Sequence, residues 1–247
     1  MRGFTRPCRF TLIMVFAMAL SAYAQGSNPK VNCNGGGPLS TINGALKLLN
    51  PQGPNTITVS GTCKENVLIQ SFDRLTLIAN PGASINDASG GTIPVVDIED
   101  SHSVTLNGFT INGGADGIDC SAASVCYLQA NTIQSSLGQQ GVGVGGGSRA
   151  FLNGNTIQNN TLRGLTVNAG AQVFSNSDTF SGNTSAAIVA NSGAYLIATG
   201  SSILNNGSDG SAGIVATDHA TLRLISCTIS GNKADGVDLQ HGSESAI

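Results

Sequence analysis

Carboxylates are the chemistry-bearing side chains that this sequence brings closest together. Asp97, Glu99 and Asp100 fall within four residues, and Asp116 and Asp119 follow some twenty residues later. Acids on neighbouring turns of a repeating chain can share a Ca²⁺ ion through their oxygens, and Asp97, Glu99 and Asp119 are the candidates for that role. They can also divide acid and base roles on a sugar. A lyase or epimerase reaction needs in addition a base and a group that neutralises a uronate. Arg163 is the candidate, because it occupies the repeat position of Asp116 two turns on, roughly 10 Å away if the turns stack as strands. Arg149 lies near it in sequence. The simpler account of the acids is a solvated outer face, since Asp favours turns. Asp116-Gly117-Ile118-Asp119 returns as Asp235-Gly236-Val237-Asp238, as a repeat feature would.

Other reactive side chains are scattered. The chain has no C-x-x-C pair, and His219 and His241 stand apart, which argues against a zinc site. Tyr127 and Tyr195 are two rings, too few for a sugar-stacking platform. No cofactor is called for, Ca²⁺ being the one ion the carboxylates would suit.

The elements that carry these residues repeat. A Thr-Ile-like step recurs at Thr110-Ile111, Thr132-Ile133, Thr156-Ile157, Thr179-Phe180, Ser202-Ile203 and Thr228-Ile229, with spacings of 22, 24, 23, 23 and 26. Ile118, Val142, Leu165, Ile188, Ile214 and Val237 keep pace with it, as do Val104, Cys126, Ala150, Val173, Leu196 and Leu222 upstream. The second residue beyond each of the upstream set is again mostly apolar, from Leu106 to Leu224. Period two with β-branched residues specifies strands, and a fixed long period specifies a solenoid. We therefore expect an all-β, right-handed parallel β-helix of about eight or nine coils of roughly 23 residues over 55–247. Three strands per coil would point their apolar residues inward. Asn160, Asn183, Asn206 and Asn232 hold one turn position, so stacked coils would align them as an asparagine ladder. Residues 55–110 read as earlier, less regular coils, with strands at 56–59, 67–69, 75–78, 95–98 and 104–106.

Upstream of the coils, Ile42, Ala45, Leu46 and Leu49 have helical spacing, with Ser40 or Thr41 as cap and Asn50-Pro51 as stop. Residues 25–54 are thus expected to cover the first coil, which a solenoid requires. Cys33 and Cys63 flank this cap and are expected to pair, closing a loop worth roughly 3–4 kcal/mol in the chain-entropy model. Cys120 and Cys126 straddle a short turn and suit a local bridge, leaving Cys227 as a buried free thiol. Residues 1–24 read as a signal peptide: Arg2, Arg6 and Arg9, a largely apolar run from Phe10 to Leu20, then Ala22-Tyr23-Ala24. The protein is accordingly expected to be secreted, extracellular or periplasmic, with no membrane span. Of 11 basic and 14 acidic residues the leader takes three bases, leaving about −6. That charge disfavours nucleic acid as a partner.

The run Leu152-Asn153-Gly154-Asn155-Thr156-Ile157-Gln158-Asn159-Asn160, followed by Gly164-Leu165-Thr166-Val167, resembles the repeat of the right-handed parallel β-helix proteins, the pectate-lyase-like superfamily. The Cys33 to Cys63 region resembles leaders of exported bacterial members. The resemblance covers roughly 55–247 and implies the fold. For activity it implies pectate lyases, polygalacturonases, alginate epimerases, tailspikes or non-enzymatic surface proteins. The G-H-G and R-x-K motifs of polygalacturonases are absent. The sequence reading is a non-catalytic secreted β-helix, a surface, adhesion or carbohydrate-contacting module whose partner is a polysaccharide or cell-surface glycan. The alternatives are a lyase or epimerase on uronate-containing glycans, centred on Asp97, Glu99, Asp100, Asp116, Asp119 and Arg163, and a truncated passenger-like fragment of a larger surface protein. The last coil has no expected cap, so self-association through that end is a further expectation.

Overall fold

A computed structural model of the 247-residue chain describes residues 26–37 and 39–246; the expected signal peptide lies outside the described residues. Three parallel sheets of ten, eight and eight strands wrap one core. Sheet A holds the ten, from Lys30–Asn32 to Glu244–Ala246. Sheet B runs from Thr62–Lys64 to Thr228–Ser230 and carries the Thr-Ile steps. Sheet C runs from Val67–Gln70 to Val237–Leu239. Each coil visits A, B and C in turn, and each strand pairs in parallel with its counterparts in the coils before and after.

The register follows the repeat. Ile111 pairs with Ile133, Ile133 with Ile157, and Ile157 with Phe180, while Ile118 pairs with Val142 and Val142 with Leu165. All seven side chains are fully buried. Alternation along a strand sends the intervening residues to the outer face. The less regular coils add strands that carry no Thr-Ile step, at Lys30–Asn32, Thr62–Lys64 and Ser84–Asn86. Ile229 and Val237 of the last coil are only partly buried.

Polar ladders turn the corners. Between sheets B and C, Asn160 Nδ2 donates to Asn183 Oδ1 (2.9 Å), Asn183 Nδ2 to Asn206 Oδ1 (2.9 Å) and Asn206 Nδ2 to Asn232 Oδ1 (3.0 Å). Two further ladders were not foreseen. Between A and B, the Asn131 N–H donates to Asn155 Oδ1 (3.0 Å) and the Asn155 N–H to Asp178 Oδ1 (2.7 Å). Between C and A, the Ser101 N–H donates to Ser124 Oγ (3.1 Å) and the Ser124 N–H to Ser148 Oγ (3.0 Å). Each ladder gives partners to backbone donors that would otherwise be buried alone.

The expected helix forms but is shorter than its apolar spacing implies. It spans Ile42–Leu46, with Thr41 as N-cap accepting from the Gly44 N–H. Leu48 and Leu49 continue it with tightened bonds to the carbonyls three residues back, so Leu49 packs on the core from a turn. Glu65, from the first coil, accepts from the N–H groups of Ile42 (2.7 Å) and Asn43 (3.0 Å). Cys33 is bonded to Cys63 and Cys120 to Cys126. Cys227 is free, yet half-buried rather than buried, because it sits in the looser last coil; its thiol donates to the Ala198 carbonyl at 3.3 Å.

Candidate functional site

The outer face of sheet C is where the expected carboxylates meet. Asp97, on Val96–Glu99, and Asp119, on Ile118–Ser121, are direct partners in the register and both point outward between buried neighbours. One strand spacing of about 4.8 Å therefore separates their backbones. Glu99 is on the same face, two residues along, and accepts from Gln70 Nε2 at 3.0 Å. Asp116 sits at the sheet edge, 9% exposed, and accepts from the Gln140 N–H at 3.2 Å.

The acids perturb one another. Burial is the main cause that pushes the Asp97 carboxyl up to about 6, with Asp119, Glu99 and Asp116 adding like charge. Its Oδ1 is buried without a hydrogen-bond partner. Asp116 and Asp119 are also raised by burial, against hydrogen bonds from Gln140 and Ser121 respectively that favour their charged forms. Beside Asp97, Asn66, Val67, Leu68, Ile93 and Pro94 line a cleft with a mostly apolar wall.

Three candidates fall away from this group. Asp100 has a left-handed backbone (φ 45°) that turns it off the sheet, where it accepts from Ser71 Oγ at 3.1 Å. Arg149 is on sheet A, with its guanidinium donating to Gln172 Oε1. Arg163 is on sheet C, but Gln140 stands between it and Asp116: Gln140 pairs with Arg163 in the register and donates to Asp116. Among the described residues, Arg74 forms an ion pair with Asp73 and His241 Nδ1 lies 3.4 Å from Asp218, so no base neutralises the acidic group. Nor do Asp97, Glu99 and Asp119 converge as an ion would require. The one close trio of potential ligands among the described residues is Cys33, Cys63 and Glu65, whose sulfurs are bonded to each other.

Two outward features escaped the sequence reading. Tyr127, Phe151 and Phe174 stack on sheet A with ring centroids 5.0 and 5.2 Å apart, and Tyr195 tilts against Phe174 at 6.2 Å. The two tyrosines thus belong to a four-ring row. Stacked this way the rings spend their faces on one another and show solvent their edges, so the row is a spine for the coils rather than a sugar platform. On sheet B, Asn112, Gln134 and Gln158 form an outward amide ladder with Asn86, at 2.7, 2.8 and 3.0 Å. The signals were the residues on either side of each inward Ile or Leu, which vary in type while keeping position.

The sequence model described as "right handed beta helix region" matches residues 94–247. The chain belongs to this family. No curated protein matches it in sequence. Among solved structures, it is similar to a pectin methylesterase in complex with a hexasaccharide, at 14% identity and a TM-score of 0.58 over 83% of this chain and 85% of that one. It is similar to a pectate lyase variant from Xanthomonas campestris, at 10% identity and a TM-score of 0.58 over 88% and 80%. At such identities the likeness is one of fold, and it agrees with the pectate-lyase-like resemblance of the repeat. Two disulfides fit an extracellular protein, and no helix among the described residues is long and apolar enough to cross a membrane.

Proposed function

We propose that this β-helix is a secreted, non-catalytic glycan-contacting module, and that the outer face of sheet C is its contact surface. The observation that carries the reading is the in-register pair Asp97 and Asp119 beside the apolar cleft of Leu68, Ile93 and Pro94. Half-buried carboxylates accept hydrogen bonds from sugar hydroxyls, and an apolar wall takes the C–H face of a pyranose. The solved relatives named for hexasaccharide complexes or pectate cleavage are consistent with this class of partner. Affinity electrophoresis of the mature protein through gels containing polysaccharides tests it. Retardation that is lost in the Asp97→Asn/Asp119→Asn double variant is the expected result, and migration unaffected by every polysaccharide would overturn it.

One observation favours a second reading, a lyase or epimerase acting on uronate-containing glycans. An Asp97 carboxyl that holds its proton to about 6, beside Asp119, gives the face an acid and a base at neighbouring positions. Against it stands the missing positive charge, since Arg163 is screened from Asp116 by Gln140. Incubation with pectate and alginate, with and without Ca²⁺, separates the readings. Formation of unsaturated uronate, the lyase product, or a changed ratio of C5 epimers by proton NMR, the epimerase product, that disappears in Asp119→Ala would replace the non-catalytic reading, and Ca²⁺ dependence of that product would restore Asp97, Glu99 and Asp119 as ion ligands.

A further inference from the structure

Sheet A starts one strand before the first coil, with Lys30–Asn32, but sheet C starts at Val67–Gln70, whose one neighbour among the described strands is Val96–Glu99. The Val67 N–H donates to the Val95 carbonyl (2.8 Å) and the Ser71 N–H to the Glu99 carbonyl (3.2 Å). Successive residues of a strand direct their backbone groups to opposite edges, so those of Leu68 and Gln70 face the free edge. The cap helix reaches one of them: the Leu68 N–H donates to Asn43 Oδ1 at 3.4 Å. The Gln70 N–H and the Leu68 and Gln70 carbonyls have no partner among the described residues. An edge of this kind is a template for another strand. Beside it lies a cavity of about 560 Å³. Leu46, Leu49, Pro51 and Phe72 give it apolar walls, and Lys47 is the one charged residue in its lining. Along the strand it runs from Leu68 to Phe72, about 13 Å or roughly four extended residues.

We infer that this edge is a docking site for an extended peptide segment of a partner protein, one that alternates apolar and acidic residues and joins sheet C as a strand. A peptide carries N–H and C=O groups at the spacing of the strand it meets, so it pairs with the Leu68 carbonyl and the Gln70 N–H together. Period two then sends one set of its side chains onto Leu46, Leu49 and Phe72 and the other set outward. Lys47 selects carboxylates in the outward set, because it makes no ion pair among the described residues. Glu99, one strand further in, is engaged by Gln70 Nε2 at 3.0 Å. A polysaccharide suits the cavity less well. Its hydroxyls could meet the free edge, but others would be pressed against four apolar side chains that offer no hydrogen bond. The inference lies beyond the glycan-contact reading and does not depend on it. Leu68, 48% exposed, is the wall shared by this cavity and the cleft beside Asp97.

The probe is a fluorescein-labelled peptide with the sequence of Val95–Glu99, which has the required alternation and contains the strand that pairs with the other edge of Val67–Gln70. Its fluorescence polarisation should rise to saturation with the mature protein. Lys47 is exposed, so Lys47→Glu spares the fold; it should weaken binding about fivefold, as an exposed charge pair becomes a repulsion. The same peptide N-methylated at alternate amides cannot complete the backbone pairs and should not bind. Amide exchange followed by NMR should find the Gln70 N–H unprotected in the free protein and slowed roughly tenfold or more by the peptide, with Ile69 protected in both states. Four results overturn the inference: no rise in polarisation, binding indifferent to both Lys47→Glu and N-methylation, a Gln70 amide as protected as Ile69 in the free protein, or protection of Gln70 by a polysaccharide and not by the peptide. The Asp97→Asn/Asp119→Asn double variant keeps the two proposals apart. It should bind the peptide as the parent does while losing retardation by polysaccharide, and loss of peptide binding in it would place the peptide in the Asp97 cleft and overturn the edge site.

Discussion

Single acids in this protein carry opposite demands. Asp97 is held on an outer face by the repeat, yet burial and three neighbouring acids oppose its charge. An acid whose folded pKa exceeds its unfolded value binds its proton more tightly when folded. Its stabilising contribution is therefore complete below the unfolded value of 3.8 and lost as the pH rises through about 6. Asp97→Asn should remove that loss: the variant should melt above the parent at pH 7.5 and converge with it near pH 4, as differential scanning calorimetry would show. A parent whose margin over the variant grows with pH would contradict this. Asp178 is the buried counterpart. Its oxygens accept from the Asn155 N–H and Nδ2 and from Ser175 Oγ (2.6 Å), while burial raises its pKa. Asp178→Ala would orphan these donors, at a cost of about 1–3 kcal/mol each way of counting the buried group. Asp178→Asn keeps an acceptor at the ladder position, and chemical denaturation should show it within about 1 kcal/mol of the parent. The acids were legible as residues and their convergence on one face followed from the repeat. The dismissal of Asp100 and Arg149 was not legible, because a left-handed turn and a change of sheet are decided by backbone geometry that no repeat letter records.

At the scale of elements, position proved more informative than residue type. The asparagine ladder could be expected because one letter recurs at one position, whereas the ladder through Asn131, Asn155, Asp178 and Ser201 uses three letters for the same task of pairing a backbone N–H. The Tyr127, Phe151 and Phe174 row was hidden likewise, since alternation marks its positions only as outward. Asn183 sits inside the asparagine ladder, with donors from Asn160 and acceptors on Asn206 and Ile157. Asn183→Ala should cost about 2–3 kcal/mol in urea denaturation, for a buried orphan donor and acceptor. Asn232→Ala, at the looser end, should cost less. The cap helix depends on an element distant in sequence. Five residues are too few to be stable alone, and the carboxylate of Glu65 supplies two of its N-terminal acceptors. That contact was invisible in the sequence because Glu65 lies outside any capping-box spacing. A loss well below about 1 kcal/mol in Glu65→Ala would show that the cap is held by its apolar face alone.

Across the whole molecule, stability should be distributed along the axis. Each coil pairs only with the coils before and after it, so the solenoid behaves as a chain of nearest-neighbour units. The Cys33–Cys63 bond ties the cap to the first coil, across a sequence separation of 30, and in the chain-entropy model is worth roughly 3–4 kcal/mol. Its loss should be felt locally. In a Cys33→Ser/Cys63→Ser variant, amide hydrogen exchange should accelerate in Lys30–Asn32 and in the three strands of the first coil, Asn55–Ser60, Thr62–Lys64 and Val67–Gln70, and fade within a few coils. Arg149–Asn153, Gln172–Asn176 and Tyr195–Thr199, in the middle of sheet A, should exchange as in the parent. A uniform increase through all three sheets would mean that the molecule opens as one cooperative block, and the nearest-neighbour account would fail. Sheet C bears on the outcome for function. Asp97 and Asp119 lie one and two coils beyond the Val67–Gln70 strand, close enough for fraying to loosen their stacking, whereas Thr166 lies two coils further still. Loss of the bond should therefore weaken glycan retardation through the Asp97 and Asp119 end of the face while exchange at Arg163–Val167 stays protected, and exchange with electrophoresis on the same variant reads both effects.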